Sequence, residues 1–257
     1  MRGAYGALLW LRQGSAGRER LAPRAECAYM RAMLPGLKPS LAPFSAVVFD
    51  MDGTLLDTEA VFRDIVFDVC GTLGFEMTDA VHLSIVGTSH ETTNQLLVEA
   101  YGVSFPYELF NEQCRTMMHE RLAETVPVKA GVHELLAELK ERSIPAAVAT
   151  SSRAPHAFGH LGRAGLLELF DAVVTRDDVV NPKPHPEPYL TAAGRIGVDP
   201  VRCLAVEDSH AGVRAAHAAG MQTVMVPDLL RPSAEIEALC AAVLESLHQL
   251  RHAAFSR

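Results

Sequence analysis

Four acidic residues stand out in this 257-residue sequence because they occur in two pairs, each directly after a short apolar segment. Asp50 and Asp52 form the first pair, and Glu207 and Asp208 form the second. Like charges gathered at one point either raise a pKa or require a cation. Ligands that are all oxygen suit a hard cation, and Mg²⁺ is the usual one where phosphates are handled. The two pairs therefore predict a Mg²⁺ site, provided that the fold brings them together.

The first pair could also do covalent chemistry. The carboxylate of Asp50 is a suitable nucleophile for forming an aspartyl phosphate. Asp52 lies two residues further on, so in an extended segment its side chain is on the same side. It could protonate the leaving oxygen and later deprotonate the attacking water. This pattern favours Mg²⁺-assisted phosphoryl transfer through a phospho-aspartate.

Two further polar residues could supply hydrogen-bond donors to phosphate oxygens. Thr150 follows an apolar segment and offers a hydroxyl, and Lys183 lies between two prolines and offers an ammonium group. Backbone N–H groups beyond strand ends are additional donors to phosphate. Both residues are therefore candidates for holding the transferring phosphoryl group.

Short apolar segments alternate with amphipathic ones over most of the chain, which is typical of βαβ units and of a parallel sheet covered on both faces. Ligands of such sheets bind beyond the carboxyl ends of the strands, where the residues named above are expected to lie. The predicted strands are 46–49, 146–149, 172–174, 203–206 and 223–226.

One long segment interrupts this alternation. Residues 72–127 have helical patterning throughout, apart from turn signals at 87–89 and 102–104. They predict a helical insertion between the first and second strands. Near the other end of the chain, apolar residues at helical spacing predict one amphipathic helix over 236–250.

Charge divides the chain into two parts. The formal net charge is −8, from 23 basic and 31 acidic residues, but residues 1–44 contain seven basic residues and two acidic ones. The acidic remainder argues against nucleic-acid binding, which needs basic patches. No apolar run is long enough for a membrane-spanning helix. We therefore expect no nucleic-acid partner and no membrane partner.

The basic leader at 1–44 has two interpretations. Its Arg-rich, acid-poor composition is that of an organellar transit peptide. Alternatively, it is a non-structural extension from an upstream start codon, with Met30 and Met33 as usable starts. The five cysteines are far apart and odd in number, which favours reduced thiols in a cytosol-like compartment. We expect a cytoplasmic protein, or an organellar one if the leader acts in targeting.

Four short motifs in order resemble those of the haloacid dehalogenase superfamily. The sequence DMDGTLLDTE at Asp50–Glu59 resembles the first motif. Thr150, Lys183 and the sequence VEDSHAG at Val206–Gly212 match the second, third and fourth. The helical insertion resembles the small cap of the β-phosphoglucomutase and phosphoglycolate-phosphatase branch.

This resemblance implies a fold and a domain organisation. The fold class is α/β, with a Rossmann-like, doubly wound parallel sheet as the core and an inserted α-helical cap. The core is expected at 45–61 and 128–257, the cap at 62–127, and the leader at 1–44.

The resemblance also implies roles at the catalytic and metal site. Asp50 is the nucleophile, and Asp52 is the general acid/base whose backbone carbonyl helps to hold Mg²⁺. The side chains of Asp50 and Asp208 are metal ligands. Glu207 is a partner of the metal site, either directly or through water.

For the substrate, the resemblance implies that Thr150 and Lys183 hold the transferring phosphoryl group and that Lys183 also steadies the nucleophile. The backbone amides of Met51, Asp52 and Ser151 complete the same phosphate cradle. His90, in the region of the cap that reads the substrate in relatives, is a candidate substrate contact.

Two departures from the mutase pattern favour hydrolysis over phosphomutase chemistry. Phe62 stands where the mutase has His, and His90 stands where it has Arg. The presence of Asp52 argues against dehalogenase chemistry. We predict a hydrolase of phosphate monoesters that acts on a small phosphorylated metabolite, such as a sugar phosphate or phosphoglycolate. The alternatives are a phosphomutase and a non-catalytic protein that binds a phosphate ligand. We expect a monomer, with a dimer as the alternative.

Overall fold

A six-stranded parallel sheet forms the centre of the computed structural model, which describes residues 41–86 and 88–256. The strands are β1 (Ala46–Phe49), β2 (Ala146–Ala149), β3 (Ala172–Val174), β4 (Cys203–Glu207), β5 (Gln222–Met225) and β6 (Ala242–Val243). They lie in the order β3-β2-β1-β4-β5-β6, and all the pairings are parallel. After β1, the chain adds β2 and β3 on one side of that strand and then β4, β5 and β6 on the other. The switch point at which ligands bind therefore lies between β1 and β4.

Alternate side chains of β1 show why the sheet is covered on both faces. Val47 and Phe49 belong to one apolar cluster, whereas Ala46 and Val48 belong to a second cluster that contains different helices. A strand with helices on both faces has no position for a polar side chain, which explains its uninterrupted apolar run. The predicted doubly covered α/β sheet is confirmed.

Helices form most of the connections between the strands. The insertion between β1 and β2 contains α1 (Thr58–Thr72), α2 (Asp79–Ile85), α3 (His90–Tyr101) and α4 (Tyr107–Glu124). The helices around the sheet are α5 (Val132–Glu141), α6 (Ala154–Arg163), α7 (Glu187–Arg195), α8 (His210–Ala218), α9 (Ala234–Leu239) and α10 (Leu247–Phe255). The cap has an apolar cluster of its own, in which Ile65, Leu97 and Phe110 pack together. The predicted helical insertion between β1 and β2 is therefore confirmed.

The two linkers between cap and sheet are hydrogen-bonded to each other. Asp57 donates its N–H to the carbonyl of Pro127 at 2.9 Å, and Lys129 donates its N–H to the carbonyl of Leu55 at 2.9 Å. The ammonium of Lys129 also lies 3.3 Å from the carboxylate of Asp57 and 2.7 Å from that of Asp228. These contacts fix the start of α1 beside the carboxyl ends of the strands.

The prediction of one helix over 236–250 is wrong. Helix α9 ends at Leu239, and β6 adds to the sheet beside β5 before α10 begins. The side chain of Ser246 caps α10 by accepting the N–H of Gln249 at 3.2 Å. Both helices turn apolar residues inward, and the short strand between them is apolar as well. The spacing therefore does not reveal the break.

The last residues of the predicted leader pack against the core. Leu41 and Phe44 contact one of the two apolar clusters of the sheet, and the N–H of Ala42 donates to the side-chain oxygen of Gln222 at 2.7 Å. The rest of the leader, residues 1–40, lies outside the described residues. Among the helices that the structure describes, none has the length and apolar character needed to cross a membrane.

Candidate active site

The polar residues identified in the sequence meet at the carboxyl ends of the central strands. Asp50 follows β1 directly, and its N–H donates to the carbonyl of Val206 in β4 at 2.9 Å. Glu207 is the last residue of β4, and Thr150 follows β2. Lys183 comes from the loop between β3 and α7. The parallel sheet thus gathers residues that are far apart in the sequence.

Lys183 lies at the centre of this group. Its Nζ is 2.5 Å from Oδ1 of Asp50 and 2.6 Å from Oε1 of Glu207, and its side chain is only 4% exposed. Hydrogen bonds between charged groups are shorter and stronger than those between neutral groups. Lys183 therefore connects the predicted nucleophile on β1 to the buried carboxylate on β4.

Both carboxylate oxygens of Glu207 accept several hydrogen bonds. Oε1 accepts from Lys183 and from the hydroxyl of Tyr189 at 2.7 Å. Oε2 accepts from the backbone N–H groups of Asp208 and Ser209, each at 3.1 Å, and from the Ser209 hydroxyl at 2.9 Å. A carboxylate offers about four acceptor positions. Glu207 therefore has little capacity left for a cation, and its geometry favours an indirect role at the metal site.

Asp50 and Asp208 are better placed to hold a metal ion. One oxygen from each of Asp50, Glu207 and Asp208 lies within 4.8 Å of the others. The backbone at Gly53, which has a φ of +81°, passes very close to Asp208. Only glycine fits there, because a Cβ would lie 2.3 Å from Oδ2 of Asp208. The hydroxyl of Thr54 donates to the other oxygen of Asp208 at 3.3 Å. This set of oxygen donors fits a hard divalent cation.

The charges at the site are unbalanced without a cation. Burial raises the pKa of Asp50 above the usual range for aspartate, although Lys183 opposes the shift. Burial, followed by the charges of Asp50 and Glu207, raises the pKa of Asp208 as well. Burial disfavours the charge on Lys183, but the same two carboxylates raise its pKa above that of a free lysine. One ammonium group thus faces three carboxyl groups, and a bound cation would compensate the excess negative charge of their ionised forms.

Two hydroxyl groups hold Asp52. Thr58 donates to Oδ1 at 3.0 Å, and Ser152 donates to Oδ2 at 2.8 Å. Thr58 is the first residue of α1, and Ser152 lies just beyond β2. The start of α1 and the loop after β2 thus both fix the orientation of this carboxylate, which agrees with the predicted role of Asp52 as general acid/base.

The predicted phosphate-binding residues lie around the same strand ends. Thr150 is buried, and its hydroxyl oxygen accepts the N–H of Ser152 at 3.0 Å, which leaves its proton for another acceptor. Met51 is buried directly after Asp50, and Ser151 is exposed after β2. Their positions agree with a phosphate cradle, and their contacts with substrate stay predictions.

His90 lies in the cap, at the first residue of α3. Its carbonyl accepts the hydroxyl of Tyr107 at 2.9 Å, and the centres of the two rings are 4.9 Å apart. Among the described residues, no hydrogen bond joins His90 to the residues at the strand ends. Its role as a substrate contact stays a prediction.

The sequence interpretation missed three residues that contact this site: Thr58, Ser152 and Tyr189. Thr58 lies within the first motif, and Ser152 is two residues after Thr150, so the alternation of an extended segment could have indicated it. Tyr189 has no comparable signal. Only the packing of α7 against the sheet brings its hydroxyl to Glu207.

Replacing Gly212 by alanine is expected to displace the side chain of Glu207 and so destabilise the protein. A Cβ on Gly212 would lie 1.6 Å from Oε1 of Glu207. Glu207 would have to move away from Lys183, and overpacking together with a broken buried ion pair should cost about 3 kcal/mol. Urea unfolding measures this loss.

Gly162→Ala in α6 is the matched control, because its Cβ would meet no atom within 4 Å. It should be neutral or stabilising by up to about 1 kcal/mol. Equal stability of the two variants would contradict the prediction.

The chain is similar to known proteins over most of its length. Residues 47–226 match the haloacid dehalogenase-like hydrolase family. The phosphorylated carbohydrates phosphatase of Thermotoga maritima is 34% identical over 179 residues, covering 70% of this chain and 83% of that protein. The "Probable pseudouridine-5'-phosphatase" of Drosophila melanogaster is 38% identical over 212 residues, covering 78% of this chain and 88% of that protein.

A solved structure supports the same relationship. The structure from Thermotoga maritima that is assigned as a β-phosphoglucomutase is 32% identical to this chain and aligns with a TM-score of 0.68. The alignment covers 80% of this chain and 96% of that one. The expected relationship to capped members of the superfamily and the expected enzyme class are confirmed. The chain belongs to the haloacid dehalogenase-like hydrolase family, and within it to the phosphatases.

Proposed function

We propose that this protein is a Mg²⁺-dependent phosphatase that hydrolyses a small phosphorylated metabolite through a phospho-aspartate on Asp50. The observation that supports this most is the environment of Asp50. Its buried carboxylate lies 2.5 Å from Lys183, and Asp208 contributes an oxygen to the same cluster. Asp52, held by two hydroxyls, is two residues away. A nucleophile, an acid/base and a fixed positive charge are thus side by side.

The first half-reaction transfers the phosphoryl group to the protein. An oxygen of Asp50 bonds to phosphorus as the bond between phosphorus and the ester oxygen breaks. Asp52, protonated at this stage, gives its proton to the leaving oxygen, and the alcohol departs. Lys183 and the hydroxyl of Thr150 donate to the oxygens of the transferring group and stabilise the charge on them.

The second half-reaction releases phosphate. Asp52, now ionised, takes a proton from a water whose oxygen bonds to phosphorus. The bond from phosphorus to Asp50 breaks, which restores the carboxylate and frees inorganic phosphate. Asp52 is again protonated, so ester and water have become alcohol and phosphate, with no net change in the protein.

Mg²⁺ fits the donor set described above. The side chains of Asp50 and Asp208 and the backbone carbonyl of Asp52 would hold it, with Glu207 as an indirect partner. Bound Mg²⁺ would offset the negative charge of the phosphoryl oxygens. The same charge would let this acidic protein accept an anionic substrate.

We further propose that the substrate is a sugar phosphate or a phosphoglycolate-like ester. The name of the Thermotoga maritima relative supports phosphorylated carbohydrates, whereas that of the Drosophila melanogaster relative points to a nucleoside monophosphate. The test is phosphate release from a panel that contains sugar phosphates, phosphoglycolate and pseudouridine 5'-phosphate, each with Mg²⁺ and with excess EDTA. We expect sugar phosphates to give the highest kcat/KM and EDTA to abolish hydrolysis. A purified, folded protein that hydrolyses no ester would overturn the proposed activity.

A phosphomutase is the second candidate, because the similar solved structure is assigned as one. Phe62 argues against it. Phe62 lies one helical turn after Thr58, on the same face of α1, and is 36% exposed. A phenyl ring there cannot exchange protons with a sugar hydroxyl. Incubation with β-glucose 1-phosphate and a bisphosphate primer distinguishes the two activities. We expect free phosphate, whereas glucose 6-phosphate without free phosphate would indicate a mutase.

We also propose a domain organisation, a compartment and an oligomeric state. We assign 45–61 and 128–257 to the core, 62–127 to the cap and 1–44 to the leader. The dispersed cysteines, of which Cys70, Cys114 and Cys203 are buried, support a reducing, cytoplasmic compartment. An organelle is the alternative if the leader acts in targeting. A monomer that binds a small phosphorylated metabolite is expected, with a dimer as the alternative.

A further inference from the structure

Tyr189 is a buried polar residue that the proposed mechanism does not use. It lies on α7, its side chain is 0% exposed, and its hydroxyl donates to Oε1 of Glu207 at 2.7 Å. Its neighbours on the same face of the helix, Ala192 and Ala193, are apolar and pack against the sheet. A buried hydroxyl is costly unless it is hydrogen-bonded. The bond to Glu207 is therefore the reason that a tyrosine can occupy this position.

The oxygen that Tyr189 contacts is the one that also holds Lys183. Oε1 of Glu207 accepts from both groups, at 2.7 Å and 2.6 Å. The ammonium of Lys183 also lies 5.0 Å from the centre of the Tyr189 ring, within the range of a cation–π contact. Tyr189 therefore fixes the lysine in two ways, through the shared carboxylate and through its ring.

The hydroxyl of Tyr189 also affects how Glu207 divides its charge. Lys183 has two carboxylate partners, Glu207 and the nucleophile Asp50 at 2.5 Å. A hydrogen bond to a charged acceptor disperses part of its charge. Without the tyrosine hydroxyl, Glu207 would attract Lys183 more strongly and draw it away from Asp50. The hydroxyl thus favours the position of Lys183 that is useful to the nucleophile.

We propose that Tyr189 is a positioning residue: its hydroxyl holds Glu207 so that Lys183 stays on Asp50 and on the transferring phosphoryl group. The kinetic part of this inference rests on the proposed phosphatase function. The structural part does not, since it concerns contacts among three side chains of the folded protein.

Tyr189→Phe tests the inference, because it removes the hydroxyl and keeps the ring. We expect kcat to fall about tenfold with KM within about twofold of the wild type, since a lost hydrogen bond to a charged group is of that size. Tyr101→Phe is the matched control. It removes a hydroxyl that donates to the carbonyl of Glu76 at 2.8 Å in the cap, and kcat should not change. A wild-type kcat for Tyr189→Phe in an active enzyme would overturn the inference and leave the proposed function standing.

A second readout does not need activity. The sequence has only four lysines, so the side-chain ammonium signals of a ¹⁵N-lysine sample can be assigned by replacing Lys38, Lys129 and Lys140 by arginine in turn. Lys183, being buried, should give an exchange-protected signal. We expect Tyr189→Phe to move this signal more than any other lysine signal and Tyr101→Phe to leave it in place. If the wild type hydrolyses no ester, the proposed function fails, but this signal still tests whether Tyr189 positions Lys183. An unmoved Lys183 signal would overturn the inference.

Discussion

Asp50→Asn is expected to abolish phosphate release, with a fall in kcat of at least about 10⁴-fold, because a carboxamide cannot form the aspartyl phosphate. The substitution keeps the size of the side chain, and Lys183 retains Glu207 as a partner at 2.6 Å. The loss should therefore be chemical rather than structural. Phosphate release from the best ester of the panel measures it. Hydrolysis by the variant at more than a trace level would contradict the role of Asp50 as nucleophile.

The stability of Asp50→Asn provides the control. The pKa of Asp50 in the folded protein is raised from 3.8 to about 8, mainly by burial. The native state therefore binds its proton more tightly than the unfolded chain does, and the metal-free protein should lose stability as pH rises from about 4 towards 8. Asparagine has no such titration. At pH 8 without metal, the Tm of the variant should equal or exceed that of the wild type. A large fall in Tm would mean that the lost activity reflects unfolding.

Lys183→Met is expected to cost both activity and stability. The ammonium group is the buried partner of Asp50 and Glu207, whose side chains are 11% and 0% exposed. Removing it leaves the fully buried carboxylate of Glu207 without its cationic partner, which should destabilise the protein by about 3–5 kcal/mol. Hydrolysis should fall by about 10³-fold, because a donor to the phosphoryl group is lost as well. Urea unfolding and phosphate release measure the two effects.

A second substitution separates the two roles of Lys183. Adding Glu207→Gln to Lys183→Met removes one uncompensated charge, so stability should recover in part while hydrolysis should stay at least about 10³-fold below that of the wild type. Lys140→Met on α5 is the control, since Lys140 is exposed and should change stability by no more than about 0.5 kcal/mol. If Lys183→Met were as stable as this control, the buried ion pairs of Lys183 would not stabilise the fold, which would contradict the prediction.

The elements that were predicted correctly are those whose burial can be inferred from a few consecutive residues. The apolar run Ala46–Phe49 is covered on both faces, so it indicates a central strand without further information. Asp50, Asp52 and Asp208 could be identified because they follow such apolar segments directly or within a few residues, and Lys183 because it occupies the third place in the order of the four motifs. The parallel sheet then brings them together.

The features that were missed depend on tertiary packing. The two-residue strand β6 contributes too short a pattern to separate α9 from α10. The contact of Tyr189 with Glu207 depends on how α7 lies on the sheet, which no spacing in the sequence specifies. The saturation of Glu207 by five donors could not be predicted either, because three of those donors come from the turn that begins α8.

The most direct test of the central claim is to trap the covalent intermediate. The wild-type protein is mixed with Mg²⁺ and the best ester of the panel, quenched in acid within milliseconds, digested and analysed by mass spectrometry. We expect the mass of one phosphoryl group on the peptide that contains Asp50, fragmentation that locates it on that residue, and no such mass in Asp50→Asn. Rapid turnover of the ester with no phosphorylated peptide, or with the phosphoryl group on another residue, would contradict this expectation.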